Sequence, residues 1–317
     1  MEGCVTLLIE VTFMQAKPIY VEIPIQATID EVWEMTQNPE LHEQWDLRFS
    51  SITYLPKNSN DEPQSFLYET KLGCGVKVAG WGKSIGMHSK KDGTKTSSLH
   101  FGTDQKISPI SEGKGYWQYI PTNKGTKFLT QYDYDVRFGS FGRLLDLVFR
   151  PVMGWATALS FDVLKRWIEK GELPRIQYIR LFMNVIVTML FFFVWLYHGL
   201  VPKIIIKSPE EVSMLSSLTS LEGTAVIKGV GIIGILEVLF AGVWVLYRKK
   251  RHLHALQIIA FPILTISVLI ASPSLSLHPF NPVTLNASLW ILSIIGFLIS
   301  RDLPSATSCK RTRKDVT

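Results

Sequence analysis

The chain has 317 residues, 47% hydrophobic and only 19% charged. That excludes a small disulfide scaffold and a disordered chain, and the length admits two domains. Residues 1–175 carry 20 Lys+Arg against 21 Asp+Glu, whereas residues 176–317 carry 13 against 6. The pI of about 9.1 and the mean hydropathy of +0.18 therefore belong to an apolar, basic second half. A soluble nucleic-acid binder places its positive charge on a polar domain, so no nucleic-acid partner is expected. Cys4, Cys74 and Cys309 are far apart and no C-x-x-C occurs, which excludes a dithiol redox centre and a zinc knuckle and fits a reducing compartment.

Residues 1–13 hold Glu2 and Glu10 and no Lys or Arg, unlike a secretion signal. Residues 5–13 read as a strand or as a consequence of start-site choice, since Met14 opens the first clear strand. Residues 17–26 (KPIYVEIPIQ) alternate about Ile19, Val21, Ile23 and Ile25, the two-residue period of a half-buried strand. Thr28-Ile29-Asp30-Glu31 is a capping box that opens a short helix, and Asn38-Pro39 breaks it before a second one over 40–46. Strand-like stretches follow near 49–56, 64–73, 76–88, 96–104, 106–120 and 126–138, separated by turn signals such as Asp92-Gly93 and Asn123-Lys124-Gly125. A long helical pattern then covers about 142–170, with Pro151 a candidate kink.

This order predicts an α+β domain, a curved antiparallel sheet gripped by a long C-terminal helix. Such a wrap leaves a cleft, and six of the nine Trp lie in this half. Trp33, Tyr68, Trp81, Phe101, Trp117, Tyr132 and Tyr134 are the candidate cavity-lining residues. For any one of them, simple core filling is the competing reading. Glycines at 73–75 and 80–86 read as strand bends or bulges. No G-x-S-x-G, phosphate-cradling loop or H-E-x-x-H is present, so no catalytic residue is assigned and enzymatic activity is left open.

After Arg175 come four apolar stretches, 176–197, 224–247, 255–272 and 283–300, matching an all-α four-helix transmembrane bundle. Arg248, Lys249, Lys250 and Arg251 occupy the second loop, and Arg301, Lys310, Arg311, Arg313 and Lys314 the C-terminal tail. The positive-inside rule then puts both termini in the cytoplasm of a multi-pass inner-membrane protein. The domains expected are 14–172, 176–303 and a basic cytosolic tail, 304–317.

Glu237 lies near the middle of the second span, on a face with Val230, Gly234, Ala241 and Trp244. An ionisable group at that depth faces the bundle interior or a cavity. Either it is protonated and hydrogen-bonded to a backbone carbonyl, Asn184 or Asn286, or it has a charged partner. Lys228 is nine residues away on the opposite face, so Lys203, just past the first span, is the better partner. The Gly and Ala on that face also suit self-association into a homo-oligomer. His252 and His254 are assigned to the basic loop, and no facing His pair suggests haem. No cofactor or metal is called for.

The stretches VEIPIQATIDEVWEMTQNPELHEQWD and GRLLDLVFRPVMGWATALSFDVLKRWIEKGELP, with the element order between them, resemble the START-like superfamily (SRPBCC; polyketide cyclase and lipid-transport proteins). VWLYHGLVPKI, GIIGILEVLFAGVW and the fourth span ending in SRDLP resemble the DoxX-like membrane family. The first resemblance implies a helix-grip fold around a hydrophobic ligand. The second implies that Lys203 and Glu237 are the polar positions the bundle uses; the absence of cysteines near them puts sulfur chemistry in doubt. The resulting expectation is a membrane-anchored binding protein whose cytosolic domain holds a lipid or quinone-like molecule. The alternatives are a membrane oxidoreductase component acting with quinone or thiols, and a structural or assembly factor.

Overall fold

The computed structural model describes residues 16–313 apart from 58, 60, 61 and 74. The start-site question, Cys4 and Cys74 lie outside the described residues. The chain divides into two units, residues 1–175 with 305–317, and residues 176–304.

The first unit opens with strand β1 (Ile19–Ile25), where Ile19, Val21, Ile23 and Ile25 are buried in alternation. Thr28 closes the capping box on α1 (Ile29–Gln37), its hydroxyl accepting from the Glu31 N–H while the Glu31 carboxylate accepts from the Thr28 N–H. Asn38 caps α2 (Pro39–Trp45), whose first residue needs no N–H donor. Six strands follow: β2 (Ser51–Tyr54), β3 (Ser65–Gly73), β4 (Val76–Ser89), β5 (Lys95–Gly102), β6 (Ile110–Thr122) and β7 (Gly125–Val136). They meander antiparallel, and β1 pairs with β7, giving the order β1-β7-β6-β5-β4-β3-β2.

Helix α3 (Gly139–Lys170) is continuous through Pro151. Its second half is buried almost all round, from Thr157 to Leu164. It packs on the inner face of the sheet, with Phe161 stacked on Phe128 at 4.5 Å and the Tyr132 hydroxyl 2.9 Å from that of Thr157. This is a helix-grip fold.

The described part of the basic tail, the segment after Pro304, docks on this unit. Strand β1 ends the sheet, and an open edge offers unpaired N–H and C=O groups. Glu22 and Lys310 exchange both backbone hydrogen bonds across it, at 2.9 and 3.0 Å. The Ser305 N–H donates to Asp162, Cys309 Sγ to the Ala158 carbonyl and Arg311 to the Pro151 carbonyl. Burial pushes the Cys309 thiol up to about 12, so it is inert.

The second unit holds α4 (Pro174–His198), which widens into a π-helical stretch, Gly199–Ile205. Then come α5 (Pro209–Leu218), α6 (Thr224–Leu246), α7 (Lys250–Ala271) and α8 (Pro282–Ile299). Helices α4, α6, α7 and α8 are long and apolar enough to cross a membrane. Helix α3 meets the same measure of length and composition. The bundle core gathers Val187, Phe191, Trp244, Leu253, Phe261 and Leu289. The outward positions are large apolar side chains left exposed, such as Ile186, Leu239 and Ile270. Short α5 stands in the first loop, where no element was expected.

Candidate functional site

In the first unit the site is built by strand register. Phe66 pairs with Gly82, Gly82 with Phe101, Phe101 with Gly113 and Gly113 with Tyr134, so one row across five strands alternates aromatic and glycine. A Cβ on Gly82 would lie 2.2 Å from the Phe66 ring, and one on Gly113 2.4 Å from the Phe101 ring. Neighbouring rows repeat the device: the Tyr68 ring covers Gly80, and Tyr132 covers Gly115. The Phe66, Tyr68 and Phe101 rings therefore lie over the glycines of the sheet, whereas Tyr132 and Tyr134 stand off it, their hydroxyls reaching Thr157 and Asp146 on α3. Gly80 and Gly82 are in-register partners, while register irregularities fall between Lys71 and Gly73 in β3 and between Ser84 and Gly86 in β4, where a bend or bulge was expected of the glycines.

The inner face has two ends. Under α1 and α3 it is filled: Tyr119 and Phe128 are fully buried. Along β3 to β5 it is open, with Phe66, Tyr68, Leu99 and Phe101 only half-buried. Over the open part stands Arg48, its guanidinium 5.4 Å from the Phe49 ring centre and 5.5 Å from that of Tyr132. Asp46, whose side chain is 0% exposed, receives two Arg48 hydrogen bonds at 2.8 and 2.6 Å and lies 3.1 Å from His42 Nε2. Burial alone would raise the Asp46 carboxyl. The Arg48 charge and the hydrogen bonds from Arg48 and His42 override it and hold the group well below the usual carboxylate range. The His42 ring stacks on Trp45 and meets Trp117 edge-on, both at 4.9 Å. Burial also pushes the Tyr68 hydroxyl up to about 12, so it is a neutral donor.

Of the aromatics picked from the sequence, Tyr68, Phe101, Trp117, Tyr132 and Tyr134 share this inner face. Tyr134 is tied to Asp146 at 2.7 Å. Trp33 sits on α1 and covers Tyr119 at 4.9 Å, at the filled end. Trp81 is on the opposite face, against Gly102 and edge-on to His100 at 5.0 Å, because it is one residue out of phase with Gly80 and Gly82. His42, Asp46 and Arg48 were not singled out. Their signal lay in the quoted stretch ending LHEQWD, where a carboxylate follows a tryptophan and an arginine stands two residues on.

In the second unit Lys203 Nζ lies 3.1 Å from Glu237 and 3.1 Å from Glu211, with side chains 9%, 17% and 20% exposed. Glycine brings the helices close enough: a Cβ on Gly199 would lie 2.5 Å from the Gly234 carbonyl, and one on Gly234 2.7 Å from the Gly199 carbonyl. Two carboxyl groups share one ammonium.

His254, expected in the basic loop, is instead fully buried on α7. Its ring meets Trp244 at 4.9 Å and Phe191 at 5.8 Å, and fills the space that a side chain on Gly296 would take. Gln257 and Ser293 lie buried beside one another, 3.3 Å apart. Both nitrogens of His254 and the Trp244 indole nitrogen have no hydrogen-bond partner among the described residues. No group of three His, Cys, Asp or Glu side chains is placed to hold a metal among the described residues.

Comparison with known proteins agrees with the architecture of the second unit. Residues 192–294 match the DoxX-like family. The chain is 49% identical over 190 residues to YndG of Bacillus subtilis, an uncharacterized membrane protein, over 59% of this chain and 70% of that one. It belongs to the same family of membrane proteins. Among solved structures, the Zhui aromatase/cyclase from Streptomyces is 10% identical, covering 49% of this chain and 97% of that one, with a TM-score of 0.37. A STAR-related lipid transfer protein from Xanthomonas axonopodis is 17% identical, covering 43% and 79%, with a TM-score of 0.34.

Proposed function

We propose that the chain is a membrane-anchored binding protein whose helix-grip unit holds a hydrophobic small molecule with a polar end. The observation that carries this reading is the glycine-seated row of rings at the open end of the sheet, beside the paired Arg48. Flat rings give an apolar ligand broad contact at little entropic cost, and one fixed guanidinium orients its polar end. The positive-inside pattern supports a cytosolic helix-grip unit on an inner membrane. Native mass spectrometry after gentle detergent extraction, with analysis of the co-extracted lipid, is the test. A discrete bound lipid or quinone-like molecule is expected, and a clean unliganded mass overturns the reading.

A second reading gives the bundle a part in chemistry. The half-buried Lys203–Glu211–Glu237 cluster favours it, since a plain anchor gains nothing from three charges at that depth. It requires that Glu237→Gln abolish a redox activity measured in membranes containing the wild-type chain. Unchanged activity in that variant counts against it.

A further inference from the structure

The first half of α3 is turned inside out. Its polar residues face the sheet: Asp146 accepts from the Tyr134 hydroxyl at 2.7 Å and from Arg150 at 2.7 Å, and Arg150 reaches Asp133 at 2.6 Å. The Arg150 guanidinium also lies 4.3 Å from the centre of the Tyr134 ring. These bonds fix the rotation of the helix. On the other side Phe141, Leu144, Leu145, Val148, Val152 and Trp155 recur at helical spacing and form one stripe about 100° wide. All six are exposed, Phe141 by 63% and Val148 by 70%. Ile107 extends the patch, on a loop held to the start of α3 by the Arg137 N–H bond to the Pro109 carbonyl at 2.7 Å. Lys106, exposed beside Ile107, offers a cation at its rim.

Soluble monomers rarely leave so continuous an apolar stripe uncovered. No described segment of the chain covers it. We propose that this stripe lies in the interfacial layer of the bilayer that the bundle spans, as an amphipathic helix does, with α3 along the membrane surface. Chain geometry supports the bilayer over other occupants. Helix α3 ends at Lys170 and α4 begins at Pro174. The three residues between them reach at most roughly 10 Å, so the C-terminal end of α3 stays close to the start of the first span, whereas no such tether holds a second copy against the stripe. Leu173 and Ile176, just beyond α3, are exposed apolar residues as well.

The test uses the full chain in nanodiscs, with Cys4→Ser and Cys74→Ser and a bimane label on Val148→Cys. Cys309 stays in place, its half-buried thiol donating to the Ala158 carbonyl, and the Cys4→Ser, Cys74→Ser chain without Val148→Cys reads its background labelling. Brominated phosphatidylcholine is the quencher. Ile186→Cys, on the lipid-exposed side of α4, is the reference for a membrane position, and Lys124→Cys, in the β6–β7 turn, the reference for water. The 148 label is expected to be blue-shifted and quenched to about half the extent of the 186 label or more, with the 124 label unquenched. An unquenched 148 label overturns the proposal. A label that is blue-shifted but unquenched, and only at high ratios of protein to lipid, assigns the stripe to a second copy and overturns it equally.

Discussion

The two units bury charge in opposite ways. In the helix-grip unit, Asp46 and Arg48 meet through two hydrogen bonds, and the carboxylate is wholly shielded. That pair is electrically closed. In the bundle, Lys203 faces both Glu211 and Glu237, each partly exposed, so two acids share one cation. A closed pair positions a group and resists change. A cluster of two acids and one cation can take up or give up a proton. Under the two readings proposed above, the closed pair orients a ligand and the open cluster takes part in exchange.

The largest expected effect tests the closed pair. Arg48→Leu leaves Asp46 charged in the interior with no guanidinium, only His42 and a backbone N–H beside it, a situation that costs about 3–5 kcal/mol. For a domain of this size that lowers the melting temperature by roughly 10 °C, read by thermal unfolding of the detergent-solubilised chain. The pair also dictates a pH dependence. The Asp46 carboxyl is held below its unfolded value in the folded state, so its contribution is complete above about pH 4 and is lost as pH falls further. Asp46→Asn removes that acid slope. An unaltered slope in the variant would show that the pair does not set acid stability.

The open cluster is expected to respond unequally. Lys203→Met leaves two carboxylates against each other and costs about 2 kcal/mol, less than the closed pair because both are partly in water. Glu237→Gln leaves Lys203 paired with Glu211 and costs under about 1 kcal/mol. Equal losses from the two variants, in the same melting assay, would remove the distinction drawn between the clusters.

Periodicity and capping made the order of elements readable, because strand alternation, the Thr28–Glu31 box and four long apolar runs are local signals. The pairing of Glu237 with Lys203 was also readable, since an intramembrane carboxylate narrows its partners to the few cations nearby. What stayed hidden depends on register or on tertiary neighbours. Trp81 and Gly82 are adjacent in sequence and face opposite ways, and nothing local tells which way. His254 follows a basic run and looks solvated, yet the absence of a side chain at Gly296, forty-two residues on, is what admits its ring. The tail looks like a charged end, but β1 has an edge to cover. The first half of α3 gives a helical signal without saying which face the sheet will take.

Two glycines that look alike in the sequence are expected to respond differently. Gly86 and Gly113 are both strand glycines in the helix-grip unit. A Cβ on Gly86 meets nothing within 4 Å, whereas one on Gly113 lies 2.4 Å from the Phe101 ring and 2.8 Å from the Asp133 carbonyl. The ring could swing away, but the carbonyl belongs to the neighbouring strand and moves only with it. Gly113→Ala is therefore expected to cost about 1–3 kcal/mol, and Gly86→Ala to stay within about 0.5 kcal/mol of the parent. Phe101 would also have to rise off the sheet in Gly113→Ala, into the half-buried space assigned to the ligand. The same variant should thus lower the bound-ligand fraction in native mass spectra while Gly86→Ala leaves it unchanged. If Gly113→Ala is destabilised but retains the ligand in full, the flat seating of Phe101 is a packing device, and the binding surface lies nearer to Tyr68 and Arg48.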